Sequence, residues 1–287
     1  MSDASTTQQS AQQALHYSLL SAFLKGTAKI PQMPENALRI RSLLKDPNTS
    51  LEHLSRVING DPPLAAYLMQ FADSPLLKSA RPCRTLHDVL ARLGTQKLNN
   101  LVLGFSVRNL FISKELPLQK VFRARWNASL VRAAWSACLS SSVPGFSVDD
   151  ALLGGLFQDI GSLPLLAELE NWPQIPREPE DLHSISEQLS AQVGTVLLSV
   201  WKQPNYLVDC ARYRSSHIQP PSEPSSQLYQ LVQIADAMQR SDRQQALLDL
   251  PLALQLFADE DPASIEQRYK QQVNLWLTLL GVKTRVQ

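Results

Sequence analysis

Apolar residues recur every three or four positions along almost the whole chain, and few folds suit that spacing. Leu51, Leu54 and Ile58 are one example, and Leu64, Leu68 and Phe71 continue the same stripe. A period near 3.6 puts such residues on one face of a helix. No stretch alternates with a period of two between hairpin turns, which argues against a sheet of any size. The pattern therefore predicts an all-α protein, a multi-helix bundle whose helices are joined by short loops.

Helix ends are marked by capping residues. Thr49 and Glu52 have the spacing of a capping box, and Gly60 is suited to end that helix in the left-handed conformation. Asp61-Pro62 combines a cap with a first-turn proline, and Asp261-Pro262 repeats the pattern. Later helices are predicted at about 125–139, 185–201, 227–240 and 244–257. The Gly154-Gly155 pair lies in an apolar helix and predicts close helix packing rather than a phosphate cradle.

The predicted domain organisation follows from these helices and from the positions of the prolines. Residues 1–14 are polar and are expected to form a flexible tail. Residues 15–217 are predicted to form the main helical domain, with an N-terminal helical part at about 15–115 and a bundle at about 116–217. Residues 218–226 contain three prolines and are predicted to be a connector. Residues 227–287 are predicted to be C-terminal helices that pack on the bundle.

Composition excludes several functional classes. Lys and Arg total 27 against 26 for Asp and Glu, which argues against a general binder of nucleic-acid backbones. The turn at Gly94 resembles a helix-turn-helix, but only Lys97 supplies charge near the start of the second helix. The pairs Arg123/Arg125 and Arg212/Arg214 are interpreted as solvated faces, with an anion-binding patch at the latter pair as a weaker alternative.

The expected compartment is the cytoplasm. The N-terminus has no apolar core typical of a signal peptide, and no uninterrupted apolar run reaches the ~20 residues of a membrane helix. The three cysteines show no C-x-x-C pair, which suits a reducing compartment. The five histidines include no i, i+4 pair of the kind that binds zinc on one helical face.

A series of short blocks resembles the HDOD domain, the HD-related output domain of bacterial signalling proteins. The blocks are IPQMPE at 30–35, LLKDP at 43–47, INGDP at 58–62, RP at 81–82, VLARLG at 89–94 and NLVL at 100–103. Looser matches follow at 126–129, 154–161 and 191–194, so that the resemblance covers about 25–217. It implies an HD-like helical bundle with an N-terminal helical subdomain.

The resemblance also implies where a metal would be held, because HD-type phosphohydrolases bind divalent ions with histidines and aspartates. The ligand histidines of that pattern fall on Ala128, Gln158 and Ser190, none of which is a good ligand here. The carboxylates Asp159 and, less securely aligned, Asp236 remain as vestigial candidates. We therefore expect no catalytic residue, no bound metal and no cofactor, and we expect Ala128, Gln158, Asp159 and Ser190 to line a vestigial cleft.

The leading functional hypothesis is a non-catalytic module of bacterial signal transduction that binds a protein partner or a small anionic ligand. The alternative is a divergent metal-dependent phosphohydrolase acting on nucleotides or cyclic nucleotides, with ligands drawn from Asp159, Asp236, His183 or His217. A third hypothesis, nucleic-acid binding at the Gly94 helix pair, has less support. Neither membrane attachment nor a nucleic-acid partner is expected, and the C-terminal helices are long enough for a homodimer contact.

Overall fold

The computed structural model describes residues 14, 16–72, 74, 83–108, 115–143, 145–172, 178–215, 227–257 and 260–282. The α-helices in this part of the chain are α1 (16–24), α2 (Glu35–Lys45), α3 (Leu51–Asn59), α4 (Pro62–Met69), α5 (Leu86–Arg108), α6 (Leu116–Leu139), α7 (Val148–Phe157), α8 (Ser162–Glu168), α9 (Pro179–Val200), α10 (Asn205–Arg212), α11 (Leu228–Ala237), α12 (Arg243–Leu248), α13 (Pro251–Phe257) and α14 (Pro262–Leu279). Short 3-10 turns follow α6 and α8. The described residues contain no strand, so the predicted all-α class is confirmed.

The caps in the N-terminal part depend on single side chains. Asp61 Oδ1 accepts from the N–H of Leu64 at 3.2 Å, as its place before Pro62 predicts. The cap of α3 is Ser50, which accepts from the N–H of His53, so the predicted box at Thr49 was wrong by one residue. Gly60 ends this helix with a φ of −69°, a right-handed and not the predicted left-handed conformation, and the chain leaves the helical geometry only at Asp61, with a φ of −121° and a ψ of 86°.

Helix α5 connects the N-terminal helices to the bundle. It packs against α2, α3 and α4 on one side and against α7 on the other. Gly94, with a φ of 73°, breaks it into two helical halves, as the sequence predicts. Lys97 at the start of the second half lies 3.7 Å from Asp149 at the start of α7. The next residue, Asp150, accepts from Tyr206 at 2.8 Å, so the start of α7 is tied to both α5 and α10.

Helix α6 is the centre of the bundle. It packs against α7, α9, α11 and α14, and its second half is almost wholly buried. The contact with α7 is close because of Gly155: a Cβ there would lie 2.7 Å from Ala133 Cα. The predicted role of this glycine pair in helix packing is confirmed. The helix begins nine residues before the predicted start at Arg125, since Pro117 occupies its first turn, where proline is tolerated.

Helices α11 and α14 pack on α6, and α11 also contacts α7 and α10. The single helix predicted at 244–257 is two helices, α12 and α13. Pro251 explains the break, because it has no N–H to continue the hydrogen-bond ladder of a preceding helix. Residues 1–13 of the predicted tail, the connector at 218–226 and His217 lie outside the described residues, whereas Ala14 is helical.

One stretch of the described chain, Val148–Asn171, has the length and the composition to cross a membrane, with a mean hydropathy of 1.2. It comprises α7, a turn, α8 and the 3-10 turn that follows, and 89% of the 18-residue window that has this mean hydropathy is buried within the fold. Burial of this kind is what the core of a helical bundle requires. The stretch is therefore weak support for a membrane span.

Candidate functional site

The predicted vestigial cleft centres on the turn between α7 and α8. Gln158 and Asp159 lie in this turn, with 1% and 2% of their surface exposed. Ser190, fully buried on α9, donates a 2.6 Å hydrogen bond to Asp159 Oδ1. Two of the predicted residues are thus in direct contact, although they are 31 positions apart in the chain.

A glycine pair makes this contact sterically feasible. Gly161 in the turn and Gly194 on α9 approach so closely that a Cβ on Gly161 would lie 2.1 Å from the carbonyl oxygen of Ser190. Any larger side chain at Gly161 would push the turn away from α9. The family-like segments around 154–161 and 191–194 therefore have a steric function: they hold Asp159 within reach of Ser190.

Two arginines occupy the centre of the site, and the sequence analysis did not expect either of them there. Arg125 on α6 donates from Nη1 to Asp159 Oδ2 at 3.0 Å and also to Glu187. Arg214, just after α10, lies with Nη2 3.5 Å from Asp159 Oδ1 and 3.1 Å from Glu187 Oε2. The side chains of both arginines are less than 10% exposed. Their interpretation as solvated faces was wrong.

Further bonds fix the positions of the two guanidinium groups. Arg125 Nη2 donates to the carbonyl oxygen of His183 at 3.0 Å and contacts the ring Nδ1 at the same distance. Arg214 Nη1 donates to the carbonyl oxygen of Glu187 at 3.1 Å. Because His183 and Glu187 are one turn apart on α9, both arginines form their hydrogen bonds to the same face of that helix. Arg214 thus supplies a second cation to the site.

The other predicted residues lie at the edge of this cluster. Ala128 is half-buried on α6, one turn after Arg125, and it offers no polar atom to the site beyond its backbone. Asp236 on α11 pairs with Arg132 of α6, whose Nε lies 2.8 Å from Asp236 Oδ1. Asp236 is 30% exposed in its side chain and is bonded to a different arginine from those that hold Asp159. We call the six charged residues Arg125, Arg132, Asp159, Glu187, Arg214 and Asp236 the ion-pair network.

The electrostatics of the network favour ionised carboxylates. Burial raises the pKa of Asp159, but the charges of Arg214, Arg125 and Arg132 outweigh it and hold that pKa below its usual value. The pKa of Glu187 is also lowered, because Arg214 and Arg125 together outweigh its burial. In return, Asp159 and Glu187 raise the pKa of Arg214 despite its desolvation. The network has three cations and three anions and is electrically balanced.

These residues do not fit a divalent metal. Asp159 has Oδ2 bonded to Arg125 at 3.0 Å and Oδ1 bonded to Ser190, so a cation coordinated by this carboxylate would be repelled by the neighbouring guanidinium charge. Within the described part of the chain, no group of three or more His, Cys, Asp or Glu side chains is arranged to hold a metal ion. His183 contacts Arg125 rather than converging with the carboxylates as a ligand.

Sequence reasoning found Asp159, Gln158 and Ser190 through the resemblance, but it missed Arg125, Glu187 and Arg214. One signal was present in the sequence. Arg125 and Arg132 are seven residues apart, which puts both on one face of a helix whose neighbouring positions are apolar or small. Charges on an otherwise buried face require partners, and that requirement points to an ion-pair cluster.

Comparisons with known proteins agree with this architecture. The family model of the HDOD domain matches residues 30–217. The fold is similar to that of a structure titled "Putative metal-dependent phosphohydrolase" from Shewanella amazonensis SB2B, with 20% identity, a TM-score of 0.76, and coverage of 93% of this chain and 99% of that one. The comparison with curated proteins found no match.

Two more solved structures share the fold. An HDOD domain protein with unknown function from Geobacter sulfurreducens is 17% identical, with a TM-score of 0.63 and coverage of 93% of this chain and 98% of that chain. A structure titled "Putative signal transduction protein" from Marinobacter aquaeolei VT8 is 20% identical, with a TM-score of 0.59 and coverage of 95% and 65%. Identities this low establish the fold alone. Since the family model covers well over half of the 287 residues, the chain belongs to the HDOD domain family.

Proposed function

We propose that this protein is a non-catalytic regulatory module of bacterial signal transduction that recognises a protein partner. The observation that carries the proposal is the pair of guanidinium groups, from Arg125 and Arg214, bonded to Asp159 and Glu187 where the family resemblance implies a metal site. They supply the positive charge that balances the buried carboxylates. The scaffold can therefore be stable without a metal ion.

Without a divalent metal ion, this scaffold has no means of the hydrolytic chemistry that such an ion supplies. A divalent ion lowers the pKa of a bound water and stabilises charge on a phosphoryl group. A guanidinium group can stabilise charge, but it does not generate a hydroxide nucleophile, since it has no open coordination position. Gln158, at the position of a ligand histidine, has an amide Nε2 with no hydrogen-bond partner among the described residues. It adds a neutral donor where a ligand nitrogen is expected.

The compensated charges of this buried network argue against the small anionic ligand that the sequence also allowed, and the proposal therefore keeps the protein partner. An anion needs cationic groups whose charge is not already compensated. In the ion-pair network, Arg125, Arg132 and Arg214 each lie against a carboxylate at 3.5 Å or less. An anion would have to displace Asp159 or Glu187, which are attached to the fold. The signal-transduction title of the Marinobacter structure is in line with this proposal but concerns that protein.

The test is a search for metal-dependent turnover. The purified full chain is incubated with nucleotides and cyclic nucleotides in the presence of magnesium, manganese, iron, nickel or zinc, and released phosphate or ring-opened product is measured. We expect no product above the protein-free blank, and elemental analysis after dialysis should find far less than one metal per chain. The Asp159→Ala variant should behave identically in turnover.

The alternative, a divergent phosphohydrolase, predicts the reverse. Turnover that requires a metal and disappears in Asp159→Ala would overturn the proposal. A near-stoichiometric transition metal that resists dialysis would do the same.

A further inference from the structure

An open groove lies between α12, α13 and the start of α14, beyond the residues that match the family model. Helices α12 and α13 pack against each other and against α11, whereas α14 packs against α6. The groove between them has a volume of about 290 Å³, and a wider recess of about 540 Å³ continues it alongside α12. Leu248 and Asp261 line both parts, so the two form one surface. We call this surface, lined by residues within 241–265, the C-terminal groove.

Much of the groove is apolar, and two of its leucines are exposed. Phe257 and Ile265 form a floor that is 5% and 0% exposed. Leu248 on α12 and Leu254 on α13 line the same groove, with 52% and 45% of their surface exposed. A single exposed leucine is common on a soluble protein, but two on one concave apolar surface indicate a contact site. A segment that covers them would remove apolar surface from water, which favours binding.

The rim of the groove has an excess of negative charge. Between 240 and 268 the chain has six acidic residues, three arginines and no lysine. Each arginine already pairs with one of the acids: Arg240 with Asp242, Arg243 with Glu266 and Arg268 with Glu260. Asp261, which is exposed, has no ion pair among the described residues. The charge left uncompensated at the groove is therefore negative, and it complements a segment that carries lysine or arginine.

The walls of the groove restrict the conformation of a segment that binds there. They are helices, and the described residues of this region contain no strand edge to which an extended peptide could add. Backbone N–H and C=O groups buried against an apolar surface need hydrogen-bond partners, and a helix provides them within itself. The bound segment should therefore be a helix. The ion pair of Arg243 and Glu266 joins α12 to α14 at 2.7 Å, so that the walls are in position before the segment binds.

We propose that the C-terminal groove binds a short amphipathic helix of a partner protein, with apolar side chains at i, i+3 or i+4 and i+7 and with lysine or arginine beside them. The apolar side chains pack against Leu248, Leu254 and Phe257, and one cation pairs with Asp261. Apolar grooves that bind amphipathic helices contact them at this spacing. The inference rests on the proposed function, because it names the surface and the chemistry through which a protein partner is recognised. The groove shares no residue with the ion-pair network.

The experiment uses two fluorescein-labelled synthetic helices with the same leucine pattern, LKKLLKLLKKLLKL and LEELLELLEELLEL, titrated with the full chain at physiological ionic strength. Fluorescence anisotropy should show saturable binding of the lysine helix, about tenfold tighter than that of the glutamate helix, because only lysine complements the rim. The double variant Leu248→Ser and Leu254→Ser should weaken this binding about tenfold, since two apolar contacts are lost. Asp261→Asn should weaken it about threefold and should not weaken binding of the glutamate helix.

The matched controls are on α2, outside the groove. Leu38→Ser and Glu35→Gln alter an exposed leucine and an exposed acidic residue there, and both variants should bind the lysine helix as the unaltered chain does. Equal affinity for the two helices, or an equal loss in Leu38→Ser and in the double variant, would overturn the proposal. Because Leu248 and Leu254 are exposed, their replacement should leave the fold intact, which circular dichroism verifies. Should the double variant fail to fold, Leu254→Ser alone decides.

A second copy of the chain is the other occupant that the variants distinguish. Sedimentation that shows a dimer in the unaltered chain and a monomer in the double variant would assign the groove to self-association and contradict the proposal. Failure of either kind leaves the proposed function in place, because none of these variants alters the ion-pair network and turnover is measured separately. Metal-dependent turnover, conversely, would overturn the proposed function whatever the synthetic helices do.

Discussion

Single charges in the ion-pair network stabilise the fold only while each keeps its partner. Asp159 has a side chain that is 1% exposed and bonds to Arg125 and Ser190, with Arg214 3.5 Å away. Removing one member of a buried pair leaves an uncompensated buried charge, which typically costs more than the pair itself contributes. The energetic importance of Asp159 therefore comes from the two guanidinium groups that it would leave behind.

The Asp159→Asn variant should lower the free energy of unfolding by about 3–5 kcal/mol, because two buried arginines lose a charge partner. Asp236→Asn is the matched control, as the same change at a side chain that is 30% exposed. It should cost less than Asp159→Asn, because only Arg132 loses a charge partner and Arg132 keeps its bond to the carbonyl oxygen of Gly155. Urea denaturation of both variants measures the difference, and equal costs would contradict the assignment of Asp159 as the centre of the network.

How much of this site was predictable depends on the kind of residue. The turn with Gln158 and Asp159 and the helix with Ser190 were found because their neighbours repeat a family pattern. The arginines were not found, because local patterns do not pair charges that are far apart: Arg125 and Asp159 are separated by 34 positions, and Arg214 and Glu187 by 27.

For the helices, the all-α class and the approximate positions were predictable from the sequence. The residues at which each helix begins and ends were less predictable. Apolar spacing predicted α3, α4 and α9, because each buries one face. The start of α6 was not predicted, because the residues from Leu116 onward carry several charges and are held in the helix by tertiary packing. The caps show a similar limit: Thr49 and Ser50 are chemically alike, and only the backbone decides which one caps.

The approach of the α7–α8 turn to α9 can be tested with Gly161→Ala. The new Cβ would lie 2.1 Å from the carbonyl oxygen of Ser190 and 2.3 Å from Gly194 N, and both are backbone atoms that cannot rotate away. We expect a loss of about 3 kcal/mol or more in unfolding free energy, at the upper end of overpacking effects. Displacement of the turn should also weaken the bond between Ser190 and Asp159.

Gly60→Ala is the control for this substitution. Gly60 also has right-handed backbone angles, and the only atom within 4 Å of its Cβ position is the carbonyl oxygen of Val57, at 3.1 Å. A shift of a few tenths of an ångström relieves that contact, so the cost should stay within about 1 kcal/mol. If the two variants were equally stable in thermal and urea unfolding, close packing at Gly161 would not be what positions Asp159.

Across the whole molecule, the network joins elements that are distant in sequence. Arg125 comes from α6, Asp159 from the turn after α7, Glu187 from α9 and Arg214 from the end of α10. Asp236 on α11 extends the network to the C-terminal helices through Arg132. Conditions that discharge the carboxylates should therefore loosen the bundle as a unit and not one helix at a time.

Acid is such a condition, and the sign follows from proton linkage. The folded-state pKa values of Asp159 and Glu187 lie below their usual values of 3.8 and 4.5, so in that range the unfolded chain binds more protons than the folded one. The stabilisation is complete above the usual values and is lost as pH falls through them towards the lower folded-state values.

Asp159→Asn should be less stable than the unaltered chain at neutral pH, but its free energy of unfolding should fall less on acidification. Leu166→Ala, which removes buried apolar surface and no titratable group, should be destabilised yet retain the full acid dependence of the unaltered chain. Urea unfolding of the three proteins at a series of pH values below 6 makes the comparison, and parallel curves for the unaltered chain and Asp159→Asn would show that the network does not couple stability to pH.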